Sequence, residues 1–279
     1  MLIETVKSIL QGSAVPSELV IVDQSDVSNP YLASLTTERD CKLLYLWTQS
    51  VGLSRANNFG VAAARHDLLV FTHDDVLVTP KWLDSLVQPL VCAGPRAIVT
   101  GQVLPLPSNE KGHFAPSTKI EAVPSTYKGR IGRDVLFPMS MAMYRSAIDC
   151  IGGFDERLGP GTCFPAAEDN DLGFRLLEAG FHIIYYPESV LYHRSWRTKK
   201  EYLPLRWAYG RGQGAYYAKH LSLQDRYMLS RMTLDIVRHV FPLRHEVWCS
   251  PRWLFGDVLY AVATLFGAIQ WLLTQQKTR

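Results

Sequence analysis

The 279 residues, about half of them apolar, suffice for one substantial core the size of a large single α/β domain. Five cysteines, Cys41, Cys92, Cys150, Cys163 and Cys249, make an odd total with no CxxC pair, which argues against a disulfide framework and a zinc site. The net charge of +3 conceals an asymmetry: residues 194–279 carry 14 Lys and Arg against 5 Asp and Glu, leaving 15 against 21 before them. The first part is therefore expected to hold a cation, and the tail to meet phosphates or acidic lipid headgroups. No nucleic-acid partner is expected, because compact basic runs, zinc-finger spacing and RNP-like aromatics are all missing from the sequence.

The opening MLIETVKSIL has neither a basic n-region nor an apolar h-region, so it reads as no secretory signal and points to the cytoplasm. In chain order the pattern predicts a helix over 2–10 and strands over 18–22 and 42–47. A helix over 53–65 and a strand over 68–72 follow. Thr79 and Pro80 read as N-cap and first residue of a helix to about Val91, and a strand over 97–103 comes next. Such alternation predicts parallel strands with crossover helices. Residues 105–133 are rich in Pro, Ser, Gly and Lys without a sustained period, and read as a long surface excursion serving a site. A strand over 137–144 and a short helix over 146–150, ended by Gly152 and Gly153, precede a better helix starting near Glu168. Gly180 is placed to close that helix in the left-handed conformation. A strand over 181–186 then leads through Pro187 to His193. A doubly wound sheet would have a central strand ahead of the first helix, and none precedes residue 2 in this sequence.

The expected organisation is a catalytic domain over 1–200 and a basic helical region over 201–279. Within the latter, residues 253–273 are almost uniformly apolar, interrupted mainly by Asp257, Thr264 and Gln270. As a helix this stretch is about 30 Å long, enough to cross a bilayer. Asp257, Ala261, Thr264 and Ala268 form one narrow small or polar face. That stripe suits a helix on an anionic membrane surface, or one packed on another helix, better than an isolated span.

Asp23 closes the strand ELVIV, and Asp74 and Asp75 close LLVFT, so all three carboxylates are expected at the carboxyl edge of one sheet, where α/β folds bind ligands. Carboxylates gathered there either accept hydrogen bonds from ribose and base or hold a divalent cation against a pyrophosphate. They would equally serve as turn and loop residues. Glu168, Asp169 and Asp171 stand at a helix start, where the dipole favours their ionised forms. A carboxylate there can take a proton from an attacking hydroxyl. His193, just after a strand, is a further candidate metal ligand, and Arg55 is a candidate anion contact. GxSxG, Walker, GxGxxG and HExxH patterns are all missing.

Taken in order, Ser8-Ile9-Leu10-Gln11, ELVIVDQSD, GLSRANN, FTHDDV, GGFDERLGPGT, EDNDLGFRLLEAGF and YYPESVLYH resemble the family-2 inverting glycosyltransferases. The resemblance implies the glycosyltransferase A fold, a doubly wound, mostly parallel α/β sheet with helices on both faces, here followed by the helical tail. It further implies that Asp23 contacts the base, Arg55 lies near the nucleotide, Asp74 binds ribose and Asp75 holds Mg²⁺ or Mn²⁺ through the diphosphate. Asp169, beside Glu168, would be the base, and His193 an accessory ligand. His73 stands where many relatives carry a third acid, which would soften the site toward Mn²⁺ or leave one contact to water. The implied donor is a nucleotide sugar, and the implied acceptor a hydroxyl that a lipid could carry, at the inner face of the plasma membrane. A binding protein without turnover is the alternative that His73 raises. A nucleotidyltransferase would need a glycine-rich basic loop near the start, which is not seen.

Overall fold

A computed structural model describes residues 1–107, 113–194, 196–241 and 251–276. Cys249 and the Lys277 and Arg279 flank of the tail lie outside the described residues. In chain order the elements are α1 (Leu2–Leu10), β1 (Glu18–Asp23), α2 (Pro30–Ala33), β2 (Lys42–Trp47), α3 (Leu53–Ala63), β3 (Leu68–Phe71), β4 (Val76–Val78), α4 (Trp82–Ala93) and β5 (Ala97–Pro105). They continue with β6 (Ser125–Lys128), β7 (Met141–Tyr144), α5 (Arg145–Ile151), α6 (Glu168–Glu178), β8 (His182–His193), α7 (Tyr202–Lys219), α8 (Tyr227–Val240) and a last helix, α9 (Pro251–Gln276). The chain divides into two units. The first is Met1–Val51, Arg55–Phe154 and Leu172–Arg197; the second is Gly52–Ser54, Asp155–Asp171 and Thr198–Arg279.

The first unit is mixed α/β. Its larger sheet runs β3-β7-β5-β8-β4, and β6 shares with β4 the edge of β8 that β5 leaves open. Two apolar clusters fill it, one around Ile98, Met141, Leu172, Leu176 and Ile183, the other around Val76, Trp82, Leu86, Val99 and Leu191. Burying each of these large side chains stabilises the fold by roughly 1.5–3 kcal/mol before chain entropy is counted. The α/β architecture with a helical tail is as expected, but the sheet is mixed rather than mostly parallel. Only β5 with β8 and β1 with β2 pair in parallel among the described strands. The sheet is also divided, since β1 and β2 stand as a separate two-stranded sheet. Asp23 therefore does not share a sheet with Asp74 and Asp75.

Several elements differ from the sequence reading for reasons of long-range pairing. Thr79 caps nothing; its hydroxyl donates to the Val190 carbonyl at 2.8 Å, and α4 begins only at Trp82. The excursion after Pro105 contains β6, whose four residues pair with β8. β8 runs unbroken from His182 to His193 because the residues around Pro187 form a bulge: Gly101 opposes Tyr186 while Gln102 opposes Val190. A bulge leaves proline with no ladder bond to lose. Gly101 is required beside it, since a Cβ there would come within 2.5 Å of the Ser189 carbonyl oxygen.

The second unit is built on the long helices. The buried side of α9 is small: Gly256, Ala263, Gly267 and Ala268 lie against α7. A Cβ on Gly214 of α7 would lie 1.9 Å from the Thr264 carbonyl oxygen, so only glycine admits this approach. Asp257, which interrupts the apolar tail, is paired with Arg206 of α7 at 2.5 Å. The tail is thus docked along one side on a neighbouring helix. It is long and apolar enough to cross a bilayer by length and composition.

Candidate active site

Four residues, Thr72 to Asp75, carry the chain from β3 to β4, which stand at opposite ends of the strand order. The loop runs from the end of β3, where Phe71 is level with Met141 and Thr100, to the carboxyl ends of β5 and β8, where Pro105 and Val76 flank His193. α1 holds it from below: the Thr5 hydroxyl reaches the carbonyls of Asp74 and Val76 at 2.9 and 2.6 Å. β4 returns antiparallel to β8 with Val76 opposite His193, which puts Asp75 beside the imidazole. Asp75 Oδ2 is 3.2 Å from His193 Nε2, and the Arg194 N–H donates to the Asp75 carbonyl at 2.9 Å.

Three atoms in this group are buried without a hydrogen-bond partner: Asp75 Oδ1, His73 Nε2 and His193 Nδ1. Orphaned buried polar atoms are rare and costly, and a bound ion or ligand is a physical reason for them. Burial pushes the Asp75 carboxyl up, but the hydrogen bond and charge of His193, with a smaller contribution from His73, bring it below its usual value. Burial pushes His73 down to about 4, so at neutral pH it is an uncharged imidazole with a lone pair to offer. Asp74 is exposed; burial of the loop, then the charge of Asp75 and more weakly that of Asp23, raises its carboxyl. Among the described residues no three His, Cys, Asp or Glu side chains converge as a complete metal cage. A carboxylate oxygen and imidazole nitrogens are atom types that a divalent cation accepts, and a cation held by them would take further ligands from outside the protein.

Asp23 ends β1 with its carboxylate engaged by its own turn. Oδ1 accepts from the Ser25 N–H and hydroxyl at 2.9 and 2.5 Å, and Oδ2 accepts from the Tyr45 hydroxyl at 2.6 Å. Burial raises this carboxyl, and the hydrogen bonds outweigh it to leave the group below its usual value. Arg55 is exposed in the first turn of α3. Asn58, three residues on, carries no signal of its own in the sequence: its side chain both accepts from the Phe154 N–H and donates to the Phe154 carbonyl, each at 2.9 Å. A Cβ on Gly153 would meet Asn58 Oδ1 at 2.8 Å, so the GG pair before Phe154 is matched to that clamp.

In the second unit the three acids that begin α6 have separate fates. Asp171 is wholly buried and paired with Lys219 Nζ at 2.6 Å and His220 Nε2 at 2.7 Å, both at the end of α7. Lys219 also meets Asp155 at 2.7 Å, and Arg157 grips the same carboxylate through two nitrogens at 2.9 and 2.7 Å. Burial opposes ionisation of Asp155, yet Arg157 and Lys219 hold its carboxyl well below the usual range. Glu168 is buried beside Gly159, whose φ of +101° would strain any other residue, and burial pushes its carboxyl up to about 7. Asp169 is half-buried and takes the Asn170 N–H on Oδ1 at 2.8 Å. The signal for the Asp171 network was present as acids near a helix start, but its basic partners lie 48 and 49 residues further on.

Comparison with known proteins agrees with this architecture. The profile described as "Glycosyltransferase like family 2" matches residues 1–210. The pre-mycofactocin glycosyltransferase of Mycobacterium tuberculosis (strain CDC 1551 / Oshkosh) is 30% identical over 168 residues, 55% of this chain and 33% of that protein. The chain thus spans about a third of the length of that relative. The glucosyl-dolichyl phosphate glucuronosyltransferase of Haloferax volcanii is 25% identical over 224 residues, 73% of this chain and 68% of that one. Among solved structures, the mannosyltransferase PcManGT from Pyrobaculum calidifontis, in complex with GDP-Man and Mn²⁺, superposes with a TM-score of 0.58 at 15% identity. That match covers 96% of this chain and 83% of the other. With its fold shared at that level and residues 1–210 matched by the family profile, this chain belongs to the family 2-like glycosyltransferases.

Proposed function

We propose that the chain transfers a hexosyl or deoxyhexosyl group from a nucleoside diphosphate sugar to a hydroxyl acceptor with inversion, in building a cell-surface polysaccharide or glycolipid. The observation that carries this reading is the cluster of orphaned buried atoms on His73, Asp75 and His193 beside Asp74, at the carboxyl ends of the strands. Asp75 and His193 would hold Mg²⁺ or Mn²⁺, with His73 as a neutral nitrogen nearby, and donor phosphates and water would complete the shell. A cation bound there would stabilise the charge that develops on the leaving diphosphate. Asp74 and Asp23 would accept hydrogen bonds from ribose and base, and Arg55 would lie near the nucleotide.

In a single displacement the acceptor oxygen bonds to the anomeric carbon, the bond from that carbon to the diphosphate oxygen breaks, and a carboxylate takes the hydroxyl proton. Asp169 would be the base, since its carboxylate is only half-buried while Glu168 is enclosed. Reach is a prior condition to a matched pKa. The GDP-Man and Mn²⁺ complex of PcManGT supports the donor class and the metal. The Haloferax relative, named for a dolichyl phosphate substrate, supports a lipid-linked acceptor, and with one the work would lie at the inner face of the plasma membrane. The test is nucleoside diphosphate release from a panel of nucleotide sugars with Mg²⁺ or Mn²⁺, then with chelator. Release that chelation abolishes is expected. Donor binding without release would instead make the chain a binding protein.

A further inference from the structure

We infer that α9 is an in-plane lipid-contact helix, with α7 behind it and its outward face among the headgroups and upper acyl chains of an anionic bilayer. This rests on the membrane placement proposed above and assigns the surface that makes the contact. The distribution of side chains on α9 is inverted relative to a water-facing helix. Phe255, Val258, Val262, Leu265, Ile269 and Leu272 recur at three- and four-residue intervals on one side, and all are exposed, Ile269 to 58%. The opposite side, Gly256, Tyr260, Ala263, Thr264, Gly267 and Ala268, is buried and mostly small. A helix solvated by water keeps its large apolar residues inward. Small residues at the helix contact with large apolar residues outward is the arrangement helices adopt where lipid is the outer solvent.

The charges select the kind of surface. Among the described residues after 197, the exposed charges are Lys199, Lys200, Arg226, Arg238 and Arg252 against Glu201 alone. Arg252 stands one turn before Phe255 at the start of the apolar face. Arg238 follows Val237, which with Leu234 on α8 and Phe241 just past its end is exposed and apolar. Basic side chains around an apolar face match anionic headgroups and would repel a second copy of the same face. A transbilayer orientation is disfavoured because the other side of α9 is occupied by α7, which brings Arg206 to Asp257 and Arg211 to Gln270. An apolar arc on one side of a helix suits the plane of the interface.

The test is flotation of the full chain with vesicles of phosphatidylcholine alone or with phosphatidylglycerol, at low and high salt. The parent protein should float with the anionic vesicles and at least about tenfold less with neutral ones or at high salt, as expected when several basic residues contribute. Leu265→Glu with Ile269→Glu should abolish flotation without altering the melting transition; if that pair fails to fold, Leu265→Ser with Ile269→Ser is read instead. A well-folded variant that still floats overturns the assignment of the face. So does a parent protein indifferent to both vesicles, or a stable dimer in lipid-free buffer that these substitutions dissociate. Donor hydrolysis is read in the same samples: vesicle binding without hydrolysis supports the lipid face and counts against the transferase reading alone.

Discussion

Asp75 Oδ2 lies 3.2 Å from His193 Nε2 although 118 residues separate them, because β4 and β8 are antiparallel with Val76 opposite His193. The short ladder holds the carboxylate and the imidazole at one end of the sheet, and neither side chain contributes to the apolar clusters. Asp75→Asn is therefore expected to lower diphosphate release by on the order of a hundredfold or more, the scale of losing one electrostatic stabiliser. The melting transition should move little. Release that survives both the substitution and chelation would remove Asp75 from any metal role.

Asp169→Asn is expected to abolish transfer while leaving donor affinity nearly unchanged, since a base acts on the acceptor hydroxyl and not on the nucleotide. Calorimetry with donor, beside a transfer assay, separates the two effects. A Glu168→Gln protein more impaired in transfer than Asp169→Asn would reassign the base.

Glu168 gives the fold a pH dependence of known sign. Its carboxyl is raised by burial to about 7, so the native state holds the proton more tightly than the unfolded chain does. The stabilisation is complete below the ordinary glutamate value, 4.5 in the unfolded reference, and is lost as pH rises through about 7. A tenfold difference in proton affinity between the two states corresponds to about 1.4 kcal/mol. Glu168→Gln should thus gain stability relative to the parent between pH 5 and about 7.5, with the difference level beyond. Denaturant melts at four pH values across that range check it; a difference independent of pH contradicts it.

Asp171→Asn would leave Lys219 facing Asp155 alone and remove a wholly buried carboxylate from its pair with a largely buried lysine. Removing one partner of a buried ion pair costs roughly 3–5 kcal/mol. The expected result is a lower denaturation midpoint with an unchanged slope. Lys219→Met, which strips the cation from two carboxylates, should be at least as damaging.

Gly214→Ala raises helix propensity by about 1 kcal/mol and would ordinarily stabilise α7. Here the added Cβ would meet the Thr264 carbonyl oxygen at 1.9 Å, backbone that cannot yield without moving α9. Net destabilisation is expected in thermal melts, and a stabilised variant would show that the two helices do not approach as described.

Local chemistry by itself determined a good part of this protein. α1 and β2 have the bounds that their apolar periods dictate, Leu2–Leu10 and Lys42–Trp47, and Gly152 and Gly180 close their helices in the left-handed region. The carboxylates at strand ends and at the start of α6 were visible because strand end and helix start are local events. What only the tertiary structure decided involves partners far apart in the chain. β4 has three residues, too few to show a period, and exists because β8 lies beside it. Thr79 satisfies the Val190 carbonyl rather than capping a helix, since a cap pattern does not know what else is in reach. Asn58 clamps Phe154 across 96 residues, and Asp171 finds Lys219 and His220 on a helix whose own sequence carries almost no amphipathic signal. The small face of α9 was legible as a stripe, but its neighbour was not: a periodic pattern states which side of a helix is small, and only packing decides what fills that side and what the other side is left to meet.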